Sequence, residues 1–345
     1  MNHQVTLMPS GATFTASADE TLLEAALRQG ILLPHGCRQG ACGACKGDVL
    51  SGTVDHGKYQ AHTLPQSERE AGKTLFCCAH VQSDLTLDCP QASVNVATAC
   101  KSMSVRIERL EKAAEDVILL RLRLPASETL EFRAGQYIDF LLPENQRRSF
   151  SIANAPGSQG FIELHIRRIS GGLFTPWLFE TAKVKDILRI EGPHGGFFLR
   201  EDNEKPIILL ATGTGFAPIK SIVEQSLAQN SCRPLHLYWG SRHESDLYAR
   251  ALPEQWADEH EHIRFTPVLS APPPGWQGRV GHVEDAVALD YPDLSGFEVY
   301  ACGNPAMVET AQHTLVERCH LPEDAFYADA FTLAALPDPA TEAEN

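Results

Sequence analysis

The sequence predicts three domains of different fold class: a small α+β domain, an antiparallel β-barrel and an α/β domain with a doubly wound parallel sheet. Three observations support this prediction. The first segment carries a cysteine-rich glycine loop, the middle segment reads as short strands punctuated by glycine and proline, and strands alternate with helices from Pro206 onward. A length of 345 residues accommodates two or three domains of ordinary size.

The composition is that of a globular protein and excludes several classes of function. Hydrophobic residues make up 43% and charged residues 21% of the chain. The net charge of −15 argues against nucleic acid or an anionic membrane as a partner, and is compatible with a partner protein that presents a basic docking surface. The start lacks a secretion signal and no apolar run approaches 18 residues, so we expect a cytoplasmic protein without a membrane span. The oligomeric state stays open.

Residues 1–95 are expected to form the first domain. Two short strands, about 3–8 and 12–16, precede a helix that Thr21 and Glu24 begin with a capping box. A strand near 47–54 and a return at 75–77 follow the cysteine loop. This order of elements is what a ferredoxin-like (β-grasp) α+β domain requires.

Four cysteines in this domain have the spacing of an iron–sulfur site. Cys37, Cys42, Cys45 and Cys77 form the pattern C-x4-C-x2-C…C, which is typical of plant-type [2Fe–2S] ferredoxins. A zinc ribbon is disfavoured because only one C-x2-C pair is present. We therefore predict these four cysteines as ligands of a [2Fe–2S] cluster that carries single electrons.

The second domain is expected over residues 103–202, after a linker at about 96–102. The run Val117–Leu124 ends in strict alternation of leucine and arginine, as in a strand with one buried face. Further strands are predicted at 136–142, 149–154 and 161–167. Short strands separated by turns favour a small antiparallel barrel.

The third domain is expected over residues 203–335. A fully apolar strand at 207–211 leads through a glycine loop into a helix at about 217–229. Strands are predicted at 235–239, 263–269 and 297–301, with helices between them and a last helix at 304–318. Residues 336–345 are small and acidic, and we expect them to be a disordered tail.

The barrel segment contains Arg147-Arg148-Ser149-Phe150-Ser151-Ile152-Ala153-Asn154. Here the chain resembles the ferredoxin–NADP reductase superfamily, whose flavin motif is R-x-[YF]-S. The resemblance implies that Arg148 pairs with the flavin phosphate, Phe150 packs against the flavin and Ser151 bonds near its N5 atom. It favours FAD over FMN. A guanidinium suits a phosphate because it donates two parallel hydrogen bonds.

Two weaker turns fit the same superfamily. In the family, a G-G-x-x-[ST] turn holds the flavin phosphates on helix amides, which implies this role for Gly171, Gly172 and Thr175. The segment Gly192–Gly195 matches the family's G-P-x-G turn beside the flavin. An ordinary tight turn would look the same in either place.

The glycine loop after the apolar strand predicts a dinucleotide site. Thr212, Gly213, Gly215 and Pro218 fit the pattern T-G-x-G-x-[AS]-P of the superfamily. A loop that joins a buried strand to a helix places the helix N-terminus against a pyrophosphate. The pattern differs from the dehydrogenase fingerprint G-x-G-x-x-G, since a proline holds the last position.

The last strands supply the remaining predicted site residues. Cys302 and Gly303 begin the family's C-G-x-x-x-M motif, which implies that Cys302 faces the nicotinamide C4 atom and Gly303 shapes its pocket. The resemblance implies that Phe331 covers the flavin and that Asp329 acts near N5, where relatives often have Glu. Cys302, Ser151 and Asp329 are thus the predicted catalytic residues.

The nicotinamide preference is expected to depend on residues after the second strand of the third domain. Arg242 would suit a 2′-phosphate, whereas Glu244 and Asp246 would suit a free ribose. We favour NADH over NADPH.

The resemblance extends over about residues 1–333. It implies an NAD(P)H-dependent iron–sulfur flavoprotein reductase that passes electrons from NADH to flavin, to the [2Fe–2S] cluster and to a partner protein. Within the superfamily the chain is most similar to the bacterial CDP-6-deoxy-3,4-glucoseen reductases. The alternatives are a reductase component of a phenol, xylene or methane oxygenase, a free flavin or quinone reductase, and a redox-sensing interaction protein.

Overall fold

The computed structural model describes residues 2–94, 100–157, 160–172 and 174–332. The predicted tail and residues 96–99 of the predicted linker lie outside this description. Three large sheets follow one another along the chain, so the three expected fold classes are confirmed. In the described part of the chain, no helix has the length and apolar character needed to cross a bilayer.

The first sheet has five strands in the order β2-β1-β8-β4-β6, with β1 and β8 parallel. Helix α1 covers it and begins at the predicted capping box, where the Glu24 amide donates to Thr21 Oγ1 over 3.2 Å. The elements are β1 Asn2–Met8, β2 Thr13–Ser17, α1 Leu22–Arg28, β3 Ile31–Leu32, β4 Lys46–Ser51, β5 Val54–Asp55, α2 Gln66–Glu70, β6 Lys73–Leu75, β7 His80–Val81, β8 Leu85–Asp88 and β9 Ser93–Val94.

The single strand expected near 47–54 is two strands. Gly52 separates them with φ +94°, and a β-carbon there would lie 2.2 Å from the carbonyl oxygen of Asp84. The chain therefore turns at the one residue type that tolerates both the dihedral angle and the contact.

The second sheet has six strands in the order β13-β12-β15-β10-β11-β14. A bridge between Ile152 and Leu164 joins its two edges, which closes the sheet into the expected barrel. Strand β10 begins at Lys101, inside the segment predicted as linker. The elements are β10 Lys101–Ala114, β11 Val117–Arg123, β12 Tyr137–Leu141, β13 Arg147–Ser151, β14 Phe161–Arg167, α3 Phe174–Glu180 and β15 Ile187–His194, with a 3-10 turn at Pro143–Asn145.

The third sheet is parallel throughout, in the order β19-β18-β17-β16-β20-β21. The first strand of this domain, β16, lies in the middle of the sheet. Strands β17 to β19 follow on one side of it and β20 and β21 on the other, so the strand order reverses between β16 and β20 and leaves a crevice at their carboxyl ends. The elements are β16 Ile207–Thr212, α4 Phe216–Ala228, β17 Leu235–Ser241, α5 Ala251–Glu259, β18 Ile263–Leu269, β19 Arg279–Val280, α6 Val283–Asp290, β20 Glu298–Gly303, α7 Pro305–Cys319 and β21 Phe326–Ala330, with 3-10 turns at Gly213–Gly215, Glu244–Asp246 and Glu323–Ala325.

Candidate functional site

The loop between β3 and β4 directs backbone N–H groups at its cysteine sulfurs. The amides of Gln39 and Ala41 each donate to Cys37 Sγ over 3.4 Å, and the Cys37 amide donates to Cys42 Sγ over 3.3 Å. Such donors stabilise negative charge on sulfur. The loop is thus built to hold thiolates.

The four predicted ligands approach one another in two pairs. Cys45 Sγ and Cys77 Sγ are 3.2 Å apart, and Cys37 shares a hydrogen bond with Cys42. Hydrogen bonding from Cys42 lowers the pKa of Cys37 to about 6, and hydrogen bonding from Cys45 lowers that of Cys77 to about 3. The same hydrogen bonds raise the pKa of the partner thiols Cys42 and Cys45 well above the usual range. The fit to a [2Fe–2S] cluster therefore rests on the spacing of the four cysteines and on the approach of their sulfur atoms.

Gly40 allows the cysteine loop to close tightly. Its φ is +65°, and a β-carbon there would lie 2.6 Å from Tyr59 Cβ and 2.8 Å from Cys78 Sγ. The Sγ atoms of Cys78 and Cys77 are 3.5 Å apart. The loop is therefore held from outside by the segment that contains Tyr59.

The flavin motif lies on β13, as predicted. The guanidinium of Arg148 donates to the carbonyl of Arg147 and to Gln146 Oε1, which are both neutral acceptors. Its charge thus remains available to a phosphate. The ring of Phe150 packs against Phe140 and Phe174, with centroids 5.7 and 5.8 Å away. A guanidinium that forms no ion pair with any described residue, beside an apolar aromatic wall, fits a phosphorylated flat ring system such as a flavin.

Asp329 joins the flavin strand to the cysteine loop. Its buried carboxyl group lies beside the Ser151 hydroxyl, which favours the charged form, and faces Cys37 and Gly36. Burial, followed by the charge of Cys37, raises the pKa of Asp329 to about 7 despite the Ser151 hydroxyl. Two of the predicted catalytic residues, Ser151 and Asp329, are therefore in contact, next to a predicted cluster ligand.

The glycine turn before α3 is present, but its threonine serves the turn itself. Thr175 Oγ1 accepts a hydrogen bond from the Ile169 amide over 2.9 Å. Gly171 has φ +77°, and Gly172 is close to the Ile169 carbonyl. The predicted contact of Gly171, Gly172 and Thr175 with the flavin phosphates stays a prediction.

A cavity of about 660 Å³ lies at the carboxyl ends of the parallel strands. Its lining includes Thr212 and Gly213 of the predicted dinucleotide loop, Gly303 of the predicted nicotinamide pocket, and Arg242 and Asp246, which are predicted for cofactor choice. Met307, the last residue of the C-G-x-x-x-M motif, and Phe331, which is predicted to cover the flavin, also line it. Gly215, Pro218 and Cys302 are not among the lining residues. The position of the cavity at the reversal of strand order is that of a dinucleotide site.

Two glycines near this cavity, Gly215 and Gly303, are required because neighbouring atoms leave no space for a β-carbon. A β-carbon on Gly215 would lie 2.1 Å from the carbonyl oxygen of Cys302, and one on Gly303 would lie 2.3 Å from Thr212 Oγ1. The Gly213–Gly215 turn leads directly into α4, where Pro218 is buried in the first turn. The loop predicted for the pyrophosphate thus packs directly against the end of β20.

Cys302 lies below this cavity with a fully buried side chain. It pairs with Asp329 across β20 and β21, and burial raises its pKa well above the usual range. The thiol is therefore neutral and shielded. Its predicted contact with the nicotinamide stays a prediction.

The candidates for cofactor choice differ in their availability. Glu244 is paired with Arg250 over 2.7 Å, and Asp246 Oδ2 accepts the His243 amide over 2.9 Å. Arg242 is exposed at the cavity. The preference for NADH over NADPH at this position stays a prediction.

Four residues of the site were not identified from sequence: Arg38, Tyr137, Asp139 and Arg167. Arg38 is bonded to Asp139, and Tyr137 to Gly36, both across more than 100 residues. Arg167 reaches from the barrel to the cavity and lies 3.5 Å from the β-carbon position of Gly213. Only the location of Arg38 inside the cysteine loop could have indicated a role.

Comparison with known proteins agrees with this geometry. Family models match the 2Fe-2S iron-sulfur cluster binding domain over residues 5–82, the oxidoreductase FAD-binding domain over 104–199 and the oxidoreductase NAD-binding domain over 209–313. All three matches fall in the order that the sequence predicts.

Two curated relatives span nearly the whole chain. The CDP-6-deoxy-L-threo-D-glycero-4-hexulose-3-dehydrase reductase of Yersinia pseudotuberculosis is 41% identical over 96% of this chain and 99% of its own length. The phenol hydroxylase P5 protein of Acinetobacter pittii is 35% identical, covering 97% of this chain and 96% of its own. Among solved structures, an Amycolatopsis cytochrome P450 reductase is 35% identical with a TM-score of 0.79, covering 96% of this chain and 100% of its own.

Proposed function

This chain belongs to the iron–sulfur flavoprotein reductases that join a [2Fe–2S] domain to FAD- and NAD-binding oxidoreductase domains, and we propose that it delivers electrons to a sugar-nucleotide dehydrase. Electrons pass from NADH through flavin to the cluster and then to the partner. The similarity to the reductase that is named for such a dehydrase supports this acceptor.

The position of Asp329 beside both Ser151 and the Gly36 region supports the electron path within the chain. The flavin motif, the cluster loop and the strand beside the nicotinamide cavity meet at this one buried carboxyl group. Electron transfer requires the cofactor sites to lie close together, and this arrangement brings the three predicted sites together. The geometry therefore supports transfer within one chain.

Each cofactor would be held by a different group of residues. Arg148 would hold the flavin phosphate, Phe150 would pack on its ring system and Ser151 would bond at N5. The Gly213–Gly215 turn would hold the nicotinamide dinucleotide, and the four cysteines would hold the cluster. A bound flavin accepts the two electrons of a hydride together and releases them singly, which is the conversion that a cluster requires.

The dehydrase is preferred as acceptor because the reductase named for it is 41% identical across both chains. The second candidate is a multicomponent oxygenase, which the phenol hydroxylase protein and the cytochrome P450 reductase favour at 35% identity. The ten cysteines are all unpaired, which supports a reducing compartment such as the cytoplasm.

The electron path is tested by removing one cluster ligand. Cys37→Ser is expected to abolish NADH-dependent reduction of a cytochrome, a one-electron acceptor, and to spare reduction of ferricyanide at the flavin. Cys319→Ser, a buried cysteine far along the chain in α7, serves as the control. Loss of both activities in Cys37→Ser alone would contradict the modular path.

The acceptor is tested with purified partners. The reduced protein is mixed anaerobically with a CDP-6-deoxy-hexulose dehydrase or with a phenol hydroxylase component, and reoxidation of the cluster is followed by its visible absorbance. We expect rapid reoxidation with the dehydrase. Rapid reoxidation with the hydroxylase alone would reassign the partner to the oxygenase class.

A further inference from the structure

Strand β12 pairs with the flavin-motif strand β13 through its backbone and contacts the cluster loop through two of its side chains. On one side its residues Tyr137 and Asp139 pair with Ser151 and Ser149 of β13. On the other side Tyr137 Oη donates to the carbonyl of Gly36 over 2.6 Å, and the Arg38 guanidinium donates to the Asp139 carboxylate. We call these two contacts the polar clamp.

The polar clamp binds the residues immediately before and after one predicted cluster ligand. Gly36 and Arg38 are the immediate neighbours of Cys37 in sequence. In the described part of the chain, the neighbours of Cys42, Cys45 and Cys77 form no hydrogen bonds with β12. Among the described residues, Cys37 is thus the ligand whose position is tied most directly to the flavin strand.

The two β12 residues of the polar clamp, Asp139 and Tyr137, are both buried. The Asp139 side chain is only 2% exposed, and its carboxylate also accepts from Ser149 Oγ over 2.6 Å and lies 3.4 Å from Arg147 Nη1. Tyr137 is 4% exposed. Buried polar groups with several partners keep one geometry, because any other arrangement leaves them unpaired.

The backbone conformation of Arg38 is unfavourable for a residue with a side chain, which indicates that this side chain has a role in the loop. Its φ of +58° lies in the left-handed region, which disfavours residues with a β-carbon. Glycine would adopt this turn without strain. Strain of this kind persists where surrounding contacts hold it, and here the contact is the ion pair with Asp139.

We propose that the polar clamp is a positioning device that fixes Cys37 against the flavin site and so sets the rate of electron transfer into the cluster. This inference rests on the proposed function. A flavin held by this chain would pass the two electrons of one hydride to the cluster one at a time, and the partner would oxidise the cluster after each transfer. The proton that entered with the hydride would leave the flavin for solvent, so that electrons and protons both balance.

The clamp is tested with Arg38→Met and Tyr137→Phe, which each delete one of its contacts. Arg109→Met, which breaks an exposed pair with Glu111 on the same barrel, and Tyr238→Phe, which loses a bond to Asp290 in the third domain, are the matched controls. Stopped-flow absorbance under anaerobic conditions separates flavin reduction by NADH from the subsequent reduction of the cluster.

We expect flavin reduction at the wild-type rate and cluster reduction slowed by at least about tenfold in both clamp variants, since small displacements of reacting centres have large effects on rate. Hydrogen exchange of the amides of residues 36–41 should become faster, while the cluster midpoint potential should stay unchanged. The two controls should match the wild type in all three measurements.

Two outcomes would overturn the inference. A clamp variant with faster hydrogen exchange but wild-type cluster reduction would make the clamp a structural contact only. A shifted midpoint potential with unchanged exchange would make it a tuning device. A wild-type protein whose flavin never reduces its cluster would instead refute the proposed function, so the two failures are distinct.

Discussion

Asp329 Oδ1 lies 3.3 Å from the point where a β-carbon on Gly36 would stand. The last strand of the third domain and the cluster loop of the first therefore touch with no room for a side chain between them. The same point is 3.2 Å from Cys42 Sγ, so two neighbours would have to move to admit a methyl group.

We expect Gly36→Ala to weaken cluster retention and to destabilise the loop by about 1 kcal/mol through overpacking. The measurement is the iron content and visible absorbance of the protein purified anaerobically. Gly296→Ala is the control, since Gly296 has open space around its β-carbon position. Full iron content in Gly36→Ala would show that the contact is looser than the structure indicates.

The fold could be predicted well from sequence where the pattern is local. The alternation in Val117–Leu124 and the apolar run at 207–211 each correspond to a strand, because burial of one or both strand faces requires these patterns. The break at Gly52 is not predicted, because it depends on the carbonyl of Asp84, which lies just before β8 and is distant in sequence.

The same distinction applies to the candidate site. The cysteine spacing and the motif around Arg148 are short patterns that follow from the chemistry of one cofactor each. The polar clamp joins Arg38 to Asp139 across 101 residues. A single tyrosine or aspartate in a predicted strand does not indicate which distant residue it contacts. Contacts between domains therefore had to come from the structure.

Gly215→Ala is expected to impair dinucleotide binding strongly. Its β-carbon would lie 2.1 Å from the Cys302 carbonyl, so the turn before α4 must move away from β20. We expect the KM for NADH to rise by at least about tenfold, which corresponds to about 1.4 kcal/mol of lost binding, with flavin content unchanged. Steady-state kinetics and flavin absorbance measure these effects. An unchanged KM would exclude the turn from the dinucleotide site.

Lys220→Met is expected to destabilise the contact between the barrel and α4. Its ammonium group lies 3.1 Å from Glu163 and 2.7 Å from Glu224, and it donates to the carbonyl of Ala153. Although burial favours the neutral acid, the contacts with His165 and Lys220 lower the pKa of Glu163 to about 2. Removing the cation would leave the Glu163 carboxylate with the His165 ring as its remaining partner, and burial lowers the pKa of that ring.

We expect the loss in Lys220→Met to be about 3 kcal/mol, the order found when one partner of a buried pair is removed. Scanning calorimetry should show a lower melting temperature, and adding Glu163→Gln should recover part of it. Lys183→Met changes an exposed lysine and serves as control. A melting temperature equal to that of the control would show that the network contributes nothing.

The acid side of the stability profile is expected to depend on His236. Its ring lies between the hydroxyl groups of Tyr291 and Thr266, each 2.9 Å away, and burial lowers its pKa to about 4. The unfolded chain binds a proton at this residue near pH 6.5. Stability should therefore be full above pH 6.5 and decline as the pH falls toward 4, because the unfolded state then binds more protons.

This one residue should account for up to roughly 3 kcal/mol of the decline, as 1.36 kcal/mol corresponds to each pKa unit. His236→Gln keeps a polar group between the two hydroxyls but cannot titrate, so its stability should change less between pH 6.5 and 4.5. Urea unfolding followed by tryptophan fluorescence at several pH values measures this, with His313→Gln, at an exposed position of α7, as control. Parallel profiles for His236→Gln and the wild type would assign the acid sensitivity to other residues, such as His35 and His194, whose pKa values burial also lowers to about 4.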